Sequence, residues 1–106
     1  MKNFAKLFLV LLGTALLFST VSFADSGADT FKAKCAMCHG ADGKGATAMG
    51  KTLNLRDLGS AEVQSQSDAD LTNIITNGKN KMPKYDGKLT KDQISDVVKY
   101  IRTLKH

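Results

Sequence analysis

The chain has 106 residues, two cysteines and a formal net charge of +5, which allows one small domain and excludes a framework of several disulfides. Its 15 basic residues are interrupted by 10 acidic ones, tryptophan is absent and aromatic residues are few, so the composition argues against a nucleic-acid-binding protein. The mild positive charge is suited instead to weak docking on acidic protein surfaces.

The first 24 residues have the features of a secretory signal peptide. Two lysines precede an uncharged apolar run over residues 7–18, and Ser22-Phe23-Ala24 supplies the small residues of a cleavage site. We therefore expect export to the periplasm and a mature domain of residues 25–106, with a net charge of about +3 because the removed segment holds two lysines and no acid. The apolar run can be extended to Ala24, close to the roughly 20 residues that span a bilayer, so an uncleaved membrane anchor is the alternative.

A helix is predicted near the start of the mature domain, from Ser26 to about Cys38. Apolar residues at spacings of three and four give it one apolar face, formed by Ala28, Phe31, Cys35 and Cys38. The segment Gly40–Gly45, with three glycines in six residues, should end the helix and form a loop. Alternating leucines between Thr52 and Leu58 indicate a short extended piece, and a short helix is expected from Ser60.

Capping signals mark two further helices. Ser67, with Asp70 three residues later, resembles a capping box and should begin a helix that Asn77-Gly78 ends. Thr90, with Gln93 three residues later, should begin the last helix. Its apolar stripe follows a helical period and consists of Ile94, Val97, Val98, Ile101 and Leu104. Since no segment of the mature chain has the pattern of paired strands, an all-α fold is predicted.

Cys35-Ala-Met-Cys38-His39 has the Cys-x-x-Cys-His spacing at which c-type haem is attached. Two thiols three residues apart on one turn can each form a thioether with one of the two vinyl groups of a haem. The next residue, His39, is then carried beneath the macrocycle, where its imidazole can bind the iron. One covalent haem is therefore predicted, and it would also complete the core of a domain that is small for an apolar core alone.

Three other interpretations of the cysteines are weaker. They could form a disulfide in an exported protein, but the closed loop would be too short to restrain much of the unfolded chain. A thioredoxin-like redox pair needs a strand–helix–strand context that the sequence lacks. A structural zinc site needs four ligands, and His106 is the only histidine besides His39.

Met82 is the predicted second axial ligand of the iron. It lies in a polar loop after the helix stop at Asn77-Gly78, and Pro83 favours an extended backbone at Met82. Met37 lies between the two cysteines and should point away from the iron, whereas Met49, in a Gly-rich loop, is an open alternative. A His/Met pair raises the haem potential and fills both axial positions, which favours electron transfer over catalysis.

With these motifs, residues 25–106 resemble the class I c-type cytochromes, small monohaem electron carriers. The resemblance is carried by Cys35-Ala-Met-Cys-His39, Asn77-Gly-Lys-x-x-Met-Pro83 and the amphipathic last helix. It implies a cytochrome c-like fold in which a central helix and loops wrap one haem. It also implies N- and C-terminal helices that cross at a contact formed by Gly27, Phe31 and Tyr100. The haem propionate partners of some relatives are not clearly matched, and the candidates here are Arg56 and Asn54.

The residues around the predicted ligand loop indicate a docking surface for an acidic redox partner. Four lysines surround this loop, with Asp86 as the only acid among them: Lys79, Lys81, Lys84 and Lys88. Attraction between such a cluster and an acidic protein speeds their encounter and weakens with salt. The alternative is a charged face that only keeps the protein in solution.

We therefore expect a monomeric periplasmic electron carrier, with no enzymatic activity, that serves respiratory or photosynthetic partner proteins. One alternative is a haem-bearing subunit or anchored cytochrome of a larger respiratory complex, tethered by residues 1–24. Another is a haem peroxidase or gas sensor, which would need an open sixth position on the iron.

Overall fold

Six helices follow one another along residues 23–106, the part of the chain that this computed structural model describes. They are α1 (Phe23–Lys34), α2 (Ala36–His39), α3 (Ala48–Thr52), α4 (Ala61–Gln64), α5 (Asp68–Asn77) and α6 (Lys91–Thr103). Within this range there is no strand, and two isolated bridges, Lys79 with Met82 and Asp86 with Leu89, pair loop residues. The predicted all-α fold is confirmed. The signal peptide predicted over residues 1–24 lies, except for its last two residues, outside the described range and stays a prediction.

The first helix and the Cys-x-x-Cys-His segment form one nearly continuous helical run. α1 begins at Phe23, slightly before the predicted start, and the run is interrupted only at Cys35. The interruption is local, because the Cys35 N–H still donates to the Phe31 carbonyl (2.8 Å) and the His39 N–H donates to the Cys35 carbonyl (3.0 Å). The run ends at Gly40, as predicted.

Serine and threonine side chains cap the four later helices. Ser60, Ser67 and Thr90 each accept a hydrogen bond from the backbone N–H three residues on, which confirms the three predicted starts. Thr47 caps α3 in the same way. The sequence does not predict α3, because one turn of helix is too short for an apolar period. Met49, which was expected in a loop, therefore lies in a helix.

α1 packs across α6 at the contact that the family resemblance implies. The ring centroids of Phe31 and Tyr100 are 5.1 Å apart, and Phe31 is almost completely buried. A methyl group at Gly27 would overlap the carbonyl of Asp96 and lie 3.1 Å from Cβ of Tyr100. The absence of a side chain at Gly27 is therefore what lets the two helices approach this closely.

The core is formed by apolar side chains from α1, α4, α5 and α6 and from the loop before α6: Phe31, Val63, Leu71, Ile75, Leu89, Ile94, Val97, Val98 and Ile101. Four of these residues belong to the apolar stripe predicted for the last helix, so α6 is the element around which the others pack. The stripe's fifth member, Leu104, is only half-buried and follows the end of the helix.

Arg102 of α6 holds the turn between α4 and α5. Its Nε donates to the Asp68 carboxylate (2.9 Å), and its two terminal nitrogens donate to the backbone carbonyls of Gln64 and Gln66. The side-chain amide of Gln64 donates in turn to the carbonyls of Leu58 (2.7 Å) and Ile101 (3.0 Å). These bonds fix the polar segment before α5 on the core, where it forms part of a cavity wall.

Candidate functional site

A cavity of about 490 Å³ lies among the helices. Its walls are largely apolar and include the core residues Phe31, Val63, Leu71, Ile75, Val97 and Ile101. Leu53, Leu55 and Leu58, from the segment predicted to be a short extended piece, line it as well. This segment consists of turns and irregular loop rather than strand. A volume of this size is typical of sites for sizeable organic ligands.

Three of the four residues singled out in the sequence meet at this cavity, and the fourth, Cys38, lies at a smaller cavity that the other three also line. The three that line the larger cavity are Cys35, His39 and Met82. The smaller cavity has a volume of about 50 Å³. The fold thus brings together two segments that are more than forty positions apart. The first helical run supplies the two thiols and the imidazole, and the later loop supplies the thioether of Met82.

His39 presents a neutral imidazole at the cavity. Burial lowers the pKa of His39 below its ordinary value, because desolvation disfavours the charged ring. Its Nδ1 is buried and has no hydrogen-bond partner within residues 23–106. A buried nitrogen without a partner costs free energy, and a neutral imidazole is the form that binds metals. The ring therefore suits a partner that the chain itself does not provide.

The backbone of the Cys-x-x-Cys-His segment is held by the loop that follows it. The Gly45 N–H donates to the His39 carbonyl (2.8 Å), and the Thr47 hydroxyl donates to the Cys38 carbonyl (2.6 Å). The Thr47 hydroxyl also accepts from the Gly50 N–H (2.9 Å), as the cap of α3. The unpredicted helix α3 thus has a role in the site, since its cap residue fixes the backbone at Cys38.

The two thiols are free and do not have the properties of a redox pair. Burial, with a smaller contribution from the neighbouring Cys38, raises the pKa of Cys35 to about 11. Reactive cysteines of thiol–disulfide enzymes need a lowered pKa, because the thiolate is the nucleophile. The all-helical surroundings also lack the strands of a thioredoxin-like site. The thioredoxin-like interpretation is therefore disfavoured by both the chemistry and the fold.

Met82 lies in a loop that is tied to α5. The N–H groups of Lys79 and Met82 each donate to the other's carbonyl, at 3.2 and 2.9 Å. The Tyr85 N–H then donates to the Ile75 carbonyl (3.0 Å), which returns the chain to α5. Gly78 allows the chain to turn sharply out of α5, because its φ is 76°. A Cβ at this position would lie only 2.7 Å from the Met82 carbonyl oxygen. The half-buried methionine is thus presented by a loop with fixed ends.

The other candidate ligands lie away from the cavity. Met37 is 81% exposed, in agreement with its predicted outward direction, and Met49 is 46% exposed. Neither residue lines the cavity. His106, the further ligand that a zinc site would need, bonds through Nε2 to the Asp57 carboxylate (2.7 Å) instead. Within residues 23–106 no group of three or more histidine, cysteine or acidic side chains is arranged to hold a metal ion.

Polar residues at the cavity include the two candidate propionate partners named from the sequence and one residue that the sequence did not single out. Asn54 and Arg56 line it, and Arg56 also pairs with Glu62 (3.3 Å). Gln66, which the sequence did not single out, lines the cavity with a buried Oε1 that has no partner in the described part of the chain. It lies in the polar run before α5, and no local pattern distinguishes it from its neighbours.

Comparisons with known proteins agree with this arrangement. Residues 22–101 match the protein family described as "Cytochrome C oxidase, cbb3-type, subunit III". The chain is 45% identical to cytochrome c6 of Nostoc sp. (strain PCC 7120), over 88% of this chain and 86% of the relative. It is 40% identical to cytochrome c6 of Porphyra purpurea, over 79% and 76% of the two chains. Among solved structures, the KustC0563 c-type cytochrome is similar with a TM-score of 0.71 and 30% identity, over 76% of this chain and 98% of that one.

Proposed function

The chain belongs to the class I c-type cytochromes, and we propose that its haem is held by Cys35, Cys38, His39 and Met82, three of which line the large cavity while Cys38 lines the small one. The protein is an electron carrier with one covalently bound haem c, and it is not an enzyme. When bound, the haem supplies an iron that changes reversibly between the ferric and ferrous states. The proposal concerns which residues of this chain hold it and what they do there.

The observation that carries the assignment is the meeting of Cys35, His39 and Met82 at one apolar cavity. The fit is supported by the orphaned Nδ1 of His39, which shows a buried polar ring without a partner from the chain. It is also supported by the aliphatic wall, because a macrocycle is largely apolar and gains free energy from leaving water. These features suit a large flat ligand with a central metal.

Each of the four side chains has a distinct role in this proposal. The thiols of Cys35 and Cys38 would hold the haem by adding S–H across its two vinyl groups, and the resulting thioethers would keep it attached in both oxidation states. His39 would supply a ring nitrogen to the iron, and burial lowers its pKa, which favours the neutral ring that binds metals. Met82 donates its thioether sulfur, a soft ligand that favours the ferrous form and so raises the potential.

With His39 and Met82 both held to the iron, the haem would serve electron transfer rather than catalysis. A peroxidase or gas sensor needs a position on the iron that a substrate can reach. The loop around Met82 is fixed at both ends by backbone hydrogen bonds to α5 and within the turn. These bonds hold the backbone of Met82 beside the cavity and so favour its side chain as a standing ligand, which disfavours the peroxidase and sensor alternatives.

Redox carriers act with partner proteins, and we infer that this one docks through the lysines around the Met82 loop. All four lysines are exposed: Lys79, Lys81, Lys84 and Lys88. Lys79 and Lys81 also line the cavity, so this charge lies at the edge through which electrons would leave. The inferred partner carries an acidic surface, and weak redox encounters of this kind bury little area.

The inferred location is the periplasm, reached by means of residues 1–24, with the protein acting as a monomer. The match to a family named for an oxidase subunit favours a second candidate, in which the chain is part of a respiratory complex. In the described range no helix is long and apolar enough to cross a membrane. Fractionation of cells that express the native full-length chain separates the two: release with the periplasmic fraction supports the carrier, and retention in the membrane supports the subunit.

The haem assignment is tested by visible spectra of the full-length chain, expressed with a haem-attachment system. Wild type and Met49→Ala should have covalent low-spin haem with the weak far-red band of an iron–methionine bond. Met82→Ala should keep the covalent haem but lose that band and, when reduced, bind carbon monoxide. A high-spin wild type, or loss of the band in Met49→Ala instead, would contradict the proposed ligand set.

A further inference from the structure

The break between α1 and α2 leaves the backbone carbonyl of Lys34 without its usual helical partner. In an uninterrupted helix the Cys38 N–H would donate to this carbonyl, four residues earlier. Here the Cys38 N–H donates to the Cys35 carbonyl (3.3 Å) instead. The hydroxyl of Tyr85 takes its place and donates to the Lys34 carbonyl at 3.0 Å. A residue 51 positions later in the sequence thus supplies the hydrogen bond that the end of α1 lacks.

Tyr85 is itself held by its backbone and by its ring. Its N–H donates to the Ile75 carbonyl of α5 (3.0 Å), and its carbonyl accepts from the Leu89 N–H (3.0 Å). Its half-buried ring packs against the apolar core, and Nζ of Lys88 lies 5.9 Å from the ring centroid. The hydroxyl is therefore presented by a residue whose position is fixed.

The Tyr85 hydrogen bond joins the two segments that carry the proposed axial ligands. Lys34 directly precedes Cys35 in the helical run that ends at His39, and Tyr85 follows Met82 by three residues. Tyr85, Cys35, His39 and Met82 all line the smaller cavity. The backbone bonds of the Met82 loop tie it to α5, whereas the hydroxyl of Tyr85 ties it to the first helical run.

The ring alone does not explain a tyrosine at position 85. Phenylalanine has the same ring and would fill the same half-buried space, so the hydroxyl and its hydrogen bond are what tyrosine adds. A hydrogen bond of this kind makes a modest net contribution to stability. The contribution is present only while the Met82 loop lies against the first helical run, so it favours that arrangement over one in which the loop has moved away.

We propose that Tyr85 is a positioning residue, whose hydroxyl holds the Met82 loop on the Lys34 carbonyl and so opposes displacement of Met82 from the iron by other ligands. This rests on the proposed function, because it assumes that Met82 binds the iron. Tyr85 acts through the position of the loop and not as a ligand. Imidazole, a base that competes with a thioether for ferric iron, is the probe.

The test compares wild type with Tyr85→Phe, which removes the hydroxyl and keeps the ring. Imidazole is titrated into ferric holo-protein, and the loss of the weak far-red iron–methionine band gives its affinity. Loss of the hydrogen bond should raise the affinity for imidazole about fivefold, the change expected from one ordinary hydrogen bond. The denaturation midpoint is measured on the same samples, because a merely structural bond would lower that midpoint and leave the imidazole affinity unchanged.

Tyr100→Phe is the matched control. The hydroxyl of Tyr100 also donates across the fold to a backbone carbonyl, that of Ala41 (3.4 Å), but it does not bind to the Met82 loop. We expect the imidazole affinity of this variant to equal that of wild type. An unchanged affinity in Tyr85→Phe, or a rise of the same size in both variants, overturns the inference.

If Tyr85→Phe does not mature, NMR of wild type gives the answer. Nuclear Overhauser contacts between the Tyr85 ring and Lys34 should be present in the free holo-protein and lost when imidazole binds, and contacts that persist overturn the inference. Failure of the proposed function has a different signature, because wild type would then lack the iron–methionine band before any imidazole is added.

Discussion

The rings of Phe31 and Tyr100 meet with their centroids 5.1 Å apart and their planes at 49°, and this contact joins the first and last helices beside the haem cavity. Phe31 is also a wall of the cavity and lies 6.3 Å from the ring of His39, between centroids. The contact therefore links the packing of the terminal helices to the position of the histidine. Its geometry depends on Gly27, one turn before Phe31.

Gly27→Ala should destabilise the holo-protein by about 1–3 kcal/mol, because the added methyl overlaps the Asp96 carbonyl and forces the helices apart. Helix propensity alone predicts the opposite sign, with alanine more stable than glycine by about 1 kcal/mol. Denaturant unfolding followed by circular dichroism separates the two expectations. Asp29→Ala, at an exposed position of the same helix, is the control for propensity and should change stability little.

Gly78→Ala should weaken the presentation of Met82 without removing any haem ligand. Gly78 has a φ of 76°, which is strained for alanine, and the added Cβ would lie 2.7 Å from the Met82 carbonyl. On heating, we expect the iron–methionine band of Gly78→Ala to weaken at a lower temperature than that of wild type. Gly87→Ala shares the strained φ of 79° but has nothing within 4 Å of its Cβ, so it controls for strain alone. Equal loss of the band in both variants would show that the close contact at Met82 is unimportant.

The parts of the site that the sequence predicts are those specified by short spacings. Cys35, Cys38 and His39 lie on one turn, and the Met82 loop begins at a helix stop that Asn77-Gly78 predicts. The caps at Ser67 and Thr90 are equally local, since each bonds to an N–H three residues away. Their positions in the structure therefore agree closely with the predictions.

The parts that the sequence misses depend on contacts between distant residues. Gln66 lies in a polar run with no apolar period, and what fixes it at the cavity is Arg102, 36 positions later. In the same way Thr47 reaches back nine positions to the Cys38 carbonyl. A pattern of residue types contains no information on which of several polar side chains such a long-range bond selects.

The lysines around the Met82 loop should control the rate of electron transfer to an acidic partner. Replacing Lys79, Lys81, Lys84 and Lys88 together by glutamine should slow bimolecular transfer at low ionic strength by about tenfold or more, because steering by opposite charge is lost. The difference should shrink toward physiological salt, where the Debye length is about 8 Å. Stopped-flow measurements with an acidic redox protein give the rates.

The control for the lysine cluster is a matched replacement of exposed lysines elsewhere, Lys32 and Lys105 to glutamine. Lys32 lies in α1 and Lys105 follows α6, both away from the Met82 loop in sequence. If this variant slowed transfer as much per charge removed, the net charge of the protein would explain the effect, and a localised docking surface would be ruled out.

Protonation of Asp57 should make the fold less stable in acid. The Gly59 N–H and, next, the His106 ring hold the pKa of Asp57 below its ordinary value of 3.8. Because the folded pKa is lower than the unfolded one, Asp57 contributes stability above the unfolded value, and this contribution is lost as the pH falls through the folded value. His106→Ala removes one of the two bonds, so the pKa of Asp57 should rise toward 3.8, which NMR titration of its carboxyl measures directly. The denaturation midpoints of wild type and His106→Ala should then differ near neutral pH and converge in acid. Asp86→Asn is the control, because this exposed aspartate has no side-chain hydrogen bond to any other residue of 23–106, and it should leave the midpoint nearly unchanged at both pH values. A midpoint difference of the same size at every pH would show that His106 stabilises the fold by packing rather than through the Asp57 carboxylate.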